Sequence, residues 1–111
     1  MMHAFDILGD PVRRRILEIL AEKGEPSSGE IVEVIEAEFG ITQSAVSQQL
    51  KTLRDAGFTS VTAEGTRRLY ALDVKPLQEV DSWISQFRYF WSPKLDALAT
   101  EIARGKRRRS K

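Results

Sequence analysis

Cysteine is absent from this chain of 111 residues, and histidine occurs once, at His3. Without thiols there are no disulfides and no thiolate metal sites, a composition that suits a reducing cytosol. A single imidazole near the start supplies no histidine ligand pair and no base for a serine nucleophile, and His3 reads as a surface residue. A glycine-rich phosphate loop is missing too, as are paired carboxylates set among apolar residues. The expectation is no enzyme, no cofactor and no metal. An oxygen-only cluster of Glu33, Glu36 and Glu38 is set aside, because acids at helical spacing are far more often a solvated face. Long apolar runs are also absent. None approaches the ~20 residues that cross a bilayer, and no signal-peptide core follows the start, so no membrane partner is expected.

Net charge is nearly absent as well, +1 at pH 7, but its distribution is uneven. Glu18, Glu22, Glu25, Glu30, Glu33, Glu36 and Glu38 stand against Lys23 alone, whereas Arg104 to Lys111 hold six bases and no acid. Without that terminal run the rest of the chain carries −5. A chain-wide basic character therefore gives no argument for nucleic acid; the argument has to be local. An apolar share of 41% with 30% charged is the balance of one soluble domain with a modest core.

What is present is most informative between Ile41 and Phe58, ITQSAVSQQLKTLRDAGF. Thr42 stands where an N-cap belongs. Val46, Leu50 and Leu53 follow at i, i+4 and i+7, one apolar stripe of a helix. Gly57 comes where a left-handed residue ends it. The opposite face carries Gln43, Ser44, Ser47, Gln48 and Lys51 and no acid. A merely solvated face usually mixes Glu with Lys, because opposite charges four apart support a helix. Gln and Ser reach base edges and Lys reaches bases or phosphates, while a carboxylate is repelled. The pattern favours a helix that reads double-stranded DNA, with Thr42 at its entry.

The neighbouring segments agree. FTSVTAEGTRRLYALD after Gly57 gives two short runs rich in β-branched and aromatic residues, joined by a tip from Ala63 to Arg68 with Gly65 at the turn. Arg67 and Arg68 sit on the returning edge, where they are expected to touch flanking phosphate or minor groove. Upstream, a short helix spans Met2 to Leu8. Asp10 and Pro11 open a second helix with Val12, Ile16, Ile19 and Leu20 inward. Arg13, Arg14 and Arg15 point in successive directions; they are expected to be solvated and partly paired with Glu18 and Asp10, or to reach DNA backbone or an acid across a dimer. Ser27 or Ser28 caps a third helix with Ile31, Val34, Ile35 and Phe39 inward and its acids outward, away from DNA. The fold class is mostly α with a small β-hairpin, a winged helix-turn-helix, dimeric through its N- and C-terminal helices.

From about residue 75 the pattern gives a long helix with Leu77, Val80, Trp83, Ile84, Phe87, Phe90 and Trp91. A further helix starts at Ser92 and Pro93, with Leu95, Leu98 and Ile102. A small domain has little core to take so much aromatic surface. Phe5, Leu8, Trp83, Phe87, Phe90, Trp91, Leu95 and Leu98 are therefore expected at a homodimer interface. The domain is taken as 1–104, with dimerisation helices over about 75–104 and a disordered basic tail over 105–111, which either solubilises the chain or clamps DNA.

LGDPVRRRILEIL (Leu8 to Leu20), the Ile41 to Phe58 segment and AEGTRRLYALD (Ala63 to Asp73) together resemble the ArsR family of bacterial winged-helix repressors. WISQFRYFWSPKLDAL is similar to a subgroup of small members with a FW-x-x-x-L-x-x-L pattern. The resemblance implies a cytoplasmic, nucleoid-associated homodimer that represses from a palindromic operator. A signal, either a small molecule or a protein, would release it. It places base-reading residues at Gln43, Ser44, Ser47, Gln48 and Lys51 and backbone contacts at Arg67 and Arg68. Metal-sensing members carry cysteines on the helix before the turn, or His, Asp and Glu ligands on the C-terminal helix; this chain matches neither. Several members have His where Gln49 stands. The competing expectation is a winged-helix module that binds a protein partner through its aromatic surface and leaves DNA alone.

Overall fold

A computed structural model describes residues 3–92. The elements are α1 (Ala4–Leu8), α2 (Pro11–Lys23), α3 (Ser28–Phe39), α4 (Gln43–Asp55), β1 (Thr59–Glu64), β2 (Arg67–Leu72), α5 (Lys75–Ser85) and a 3-10 turn, Arg88–Phe90. The chain divides between Gln78 and Glu79 into two compact units, with the division inside α5.

Each helix of the first unit starts where a polar side chain takes an orphan N–H. His3 is more than a surface residue: its Nδ1 accepts from Phe5 N–H at 3.3 Å, and Asp6 accepts from His3 N–H at 3.2 Å. Asp10 accepts from Val12 N–H at 2.8 Å ahead of Pro11. Ser27, not Ser28, caps α3 through Glu30 N–H. Thr42 caps α4 through Ala45 N–H at 3.1 Å. At the far end of α4, Phe58 N–H reaches Leu53 O at 2.9 Å and Gly57 N–H reaches Arg54 O at 3.0 Å. That pairing needs a left-handed residue between them, and Gly57 has φ 81°.

The caps aim the apolar stripes at one core of Ile7, Val12, Ile16, Leu17, Ile19, Leu20, Ile31, Ile35, Val46, Leu50, Leu53, Phe58 and Tyr70. At about 1.5–3 kcal/mol for each fully buried large side chain, this cluster is the main stabilising term of the first unit. Leu8 packs partly against the same core, so much of its apolar surface is already covered within the chain. Phe39, expected inward, is 38% exposed at the last position of α3.

The hairpin is tighter than its sequence reads. Register runs from Thr59 opposite Leu72 to Glu64 opposite Arg67, so the turn is only Gly65-Thr66, with Gly65 at φ 62° as a two-residue hairpin with glycine first requires. Tyr70 N–H donates to Pro26 O at 2.9 Å, and Ser27 bridges to Leu69. The wing is thereby tied to the segment entering α3.

The three arginines of α2 all find partners inside the chain. Arg14 donates to Leu8 O at 2.7 Å. Arg15 forms a two-toothed pair with Glu38 at 2.8 and 3.1 Å, with Glu22 and Glu18 beside it. This joins α2 to the end of α3, and it takes Glu38 out of any cluster with Glu33 and Glu36.

In the second unit α5 stops at Ser85, short of the long helix expected through Trp91. Ser85 Oγ donates to Ser82 O at 2.7 Å and Gln86 Nε2 to Trp83 O at 2.9 Å, so side chains take carbonyls that a continuing helix would use. Phe87 N–H then closes onto Ile84 O at 2.8 Å, the tighter 3-10 pattern. Asp81 pairs with Arg88. Leu95, Leu98, the expected helix from Pro93 and the basic tail lie outside the described residues.

The Arg15 hydrogen bonds hold the Glu38 carboxyl below its ordinary value of 4.5. A depressed folded-state value contributes stability that is complete above about pH 4.5 and fades as pH falls through the folded value. Thermal midpoints followed from about pH 6 to pH 3 are expected to fall less steeply for Glu38→Gln than for the parent chain. Parallel curves would mean that the pair carries no linkage.

Candidate nucleic-acid interface

Because Val46, Leu50 and Leu53 are buried, the 3.6-residue period turns Gln43, Ser44, Ser47, Gln48 and Lys51 outward, and all five are exposed. Thr42 is exposed too, but its hydroxyl is committed to the cap. Lys51 stands 3.9 Å from Asp55 one turn on. Between two such exposed groups that contact is weak and readily exchanged for a phosphate.

Two hollows flank this face and share Ser28 and Ser47. The first, about 290 Å³, lies between α4 and the wing and is lined by Leu50, Lys51, Arg54, Arg68 and Tyr70 as well. Among the described residues neither Arg54 nor Arg68 has an acidic partner within ion-pair distance. Ser28 is the first residue of α3, so the positive end of that helix dipole opens on the same hollow. Three cationic side chains and a helix start around a space of this size suit a phosphate of a nucleic-acid backbone.

The second hollow, about 340 Å³, lies between α3 and α4 and is lined by Gly29, Val32, Glu33, Glu36 and Gln43 besides the shared serines. The acids of α3 were expected to point away from DNA. Glu33 and Glu36, three apart on the helix, border a hollow shared with Gln43 in the first turn of α4, because α3 packs directly on α4. They form a negative wall beside Gln43 that disfavours phosphate there.

The two wing arginines part company. Neighbours on a strand point to opposite sides, so Arg67 and Arg68 cannot act as a pair. Arg68 lines the basic hollow. Arg67 meets Glu30 at 3.2 Å, and the same Glu30 oxygen accepts from Ser27 Oγ at 3.2 Å. Arg54 escaped the sequence reading because it lies past the acid-free turns and next to Asp55. Its place on the side of α4 facing the wing, three residues after Lys51, was the available signal. Of the aromatic residues expected at an interface between copies, Phe90 is 74% exposed, Trp91 53% and Trp83 52%, whereas Phe5 at 40% and Phe87 at 37% are mostly covered within the chain.

In sequence and fold the chain is similar to known helix-turn-helix proteins. A family model described as a helix-turn-helix domain matches residues 8–62. The transcriptional repressor SdpR of Bacillus subtilis is 31% identical over 87 residues, covering 78% of this chain and 91% of that protein. Among solved structures, a possible transcriptional regulator for arsenical resistance superposes with a TM-score of 0.64 at 29% identity, covering 91% of this chain and 97% of that one. The repressor BigR of Xylella fastidiosa gives 0.55 at 33% identity, covering 76% and 82%.

The salt dependence of binding to a random-sequence duplex, read by fluorescence anisotropy, distinguishes the two wing arginines. Arg54→Ala and Arg68→Ala are each expected to lower the slope of log K against log salt by about 1. Arg67→Ala is expected to lower it less, because Arg67 must first leave Glu30. Equal losses for Arg67 and Arg68 would contradict the assignment.

Proposed function

This chain belongs to the ArsR family of winged helix-turn-helix transcriptional regulators, DNA-binding proteins rather than enzymes, and from that premise we propose that it is a repressor acting as a homodimer on a palindromic operator. The observation that carries the reading is the exposed, acid-free face of α4 continuous with the hollow of Lys51, Arg54 and Arg68. In this arrangement Gln43, Ser44, Ser47 and Gln48 face base edges in the major groove, and Lys51 reaches a base or a phosphate. Arg54 and Arg68 hold the backbone alongside. Such contacts set affinity through phosphate and discrimination through bases, two separable quantities. A protein whose target is chromosomal DNA works where that DNA is, in the cytoplasm at the nucleoid.

The homodimer is supported by the exposed aromatic side chains of the second unit, Phe90 and Trp91 above all, since exposed apolar area of this kind is usually covered by a partner. Two-fold symmetry would set two copies of α4 about 34 Å apart, one turn of duplex. Occupying a promoter in that way excludes polymerase. The family membership and the polar reading face favour DNA over a purely protein-binding module.

Selection from a randomised duplex pool tests both parts. Gln48→Ala is expected to relax the selected consensus by about 1–3 kcal/mol at one position per half-site while leaving random-sequence binding unchanged. Phe90→Glu is expected to shift the protein toward monomer in sedimentation equilibrium and to weaken operator binding at least about tenfold. A parent chain that stays monomeric at about 100 μM, well above the range in which regulators of this kind assemble on DNA, would refute the dimer.

A further inference from the structure

Gln49 lies on α4 between the buried stripe and the reading face, half-buried, with both ends of its amide hydrogen-bonded. Its Oε1 accepts from Arg13 Nη1 at 3.0 Å and its Nε2 donates to Asp10 Oδ2 at 3.3 Å. The chemistry leaves one orientation for the amide, because a guanidinium only donates and a carboxylate only accepts. Arg13 in turn donates from Nε to Ile7 O at 2.8 Å and from Nη2 to Asp6 O at 3.0 Å, and its side chain is only 13% exposed. Asp10 is the residue that caps α2. One glutamine thus ties the reading helix to the last carbonyls of α1 and the first turn of α2.

The apolar stripe of α4 sets which side of the helix is inward but resists small rotations only weakly, because methyl groups repack with little directional preference. A two-ended amide between a fixed donor and a fixed acceptor is directional. A rotation of α4 about its axis, or a slide along it, breaks one bond or the other. Base readout by bidentate side chains tolerates little such error, whereas phosphate contacts by long flexible bases tolerate a good deal.

We propose that Gln49, held by Arg13 and Asp10, is a positioning residue that sets the rotation of the reading helix, so that its loss removes sequence discrimination and spares both folding and phosphate binding. This rests on α4 being the DNA-reading helix. It adds that α1, through its Asp6 and Ile7 carbonyls on Arg13, is mechanically coupled to the reading face.

The test uses the full chain and Gln49→Met, which keeps length and apolar stem but removes both bonds. Arg13 and Asp10, already 3.8 Å apart, can then close on each other, so the thermal midpoint is expected to move by less than about 4 °C. Binding is measured to a duplex selected by the parent protein from a random pool and to a random duplex of equal length. Gln49→Met should lose about tenfold or more on the selected duplex and nothing on the random one. Gln49→Glu, which keeps the Arg13 bond and turns a carboxylate toward Asp10, should fall in between. Gln48→Ala serves as the control for the reading face. If Gln48→Ala loses discrimination and Gln49→Met does not, the bridge has no positioning role. If Gln49→Met loses both duplexes in parallel with its thermal midpoint, the role is structural only and the proposal fails. If neither variant changes discrimination, the reading face itself is misassigned and the bridge falls with it.

Discussion

The burial of Val46, Leu50 and Leu53 is the constraint on which the rest of the molecule depends. Each is 2% exposed or less, and together they oblige the other side of α4 to face outward. At about 1.5–3 kcal/mol apiece, rolling the helix to hide its glutamines would cost several kcal/mol, most of the margin of a small domain. The polar face is therefore displayed by the same term that folds the first unit. The Leu53–Phe58 closure extends this logic. Phe58, whose N–H completes that closure, begins the approach to β1 with a fully buried ring, so helix and wing leave the core at a set distance from each other.

Around that frame the charges are sorted by packing. Arg14 and Arg15 are consumed internally, Arg13 is locked over α1, and Arg67 is drawn to Glu30. Arg54 and Arg68 are left beside Lys51 on the hollow that adjoins the polar face of α4. A chain whose net charge is only +1 thereby offers a local positive site. The negative wall of Glu33 and Glu36 next to Gln43 is unfavourable ground for a phosphate. A field that changes sign across one face orients a polyanion as well as attracting it, which suits a protein that must settle in one register on its operator.

The first unit and the aromatic unit differ in how they meet water. In the first, large apolar side chains are mostly inside. In the second, Trp83, Tyr89, Phe90 and Trp91 are each 47% exposed or more, and of the residues of α5 only Val80 is buried. That contrast underlies the proposal that a second copy of the chain covers this surface. It would also let concentration, and hence assembly, govern how many reading helices meet the DNA at once.

The starts of α2, α3 and α4, the α4 stripe, its glycine closure, the hairpin and the family were legible in the residue order, because caps, periodicity and turn glycines act over three or four residues; the His3 cap of α1 was not. Thr42, Asp10, Gly57 and Gly65 hold their expected places for that reason. The end of α5 was less legible, since whether Ser85 and Gln86 take backbone carbonyls or solvent is a close competition that composition leaves undecided. Pairings between distant segments were beyond reach. Nothing local says that Arg67 meets Glu30 37 residues away, that Glu33 and Glu36 border the polar face of α4, or that Gln49 lies 3.0 Å from Arg13. Each depends on how α2, α3 and α4 cross, and only packing of the whole core sets those angles. Residue order by itself determined which helix shows a polar face; tertiary structure decided which charges remain free to stand beside it.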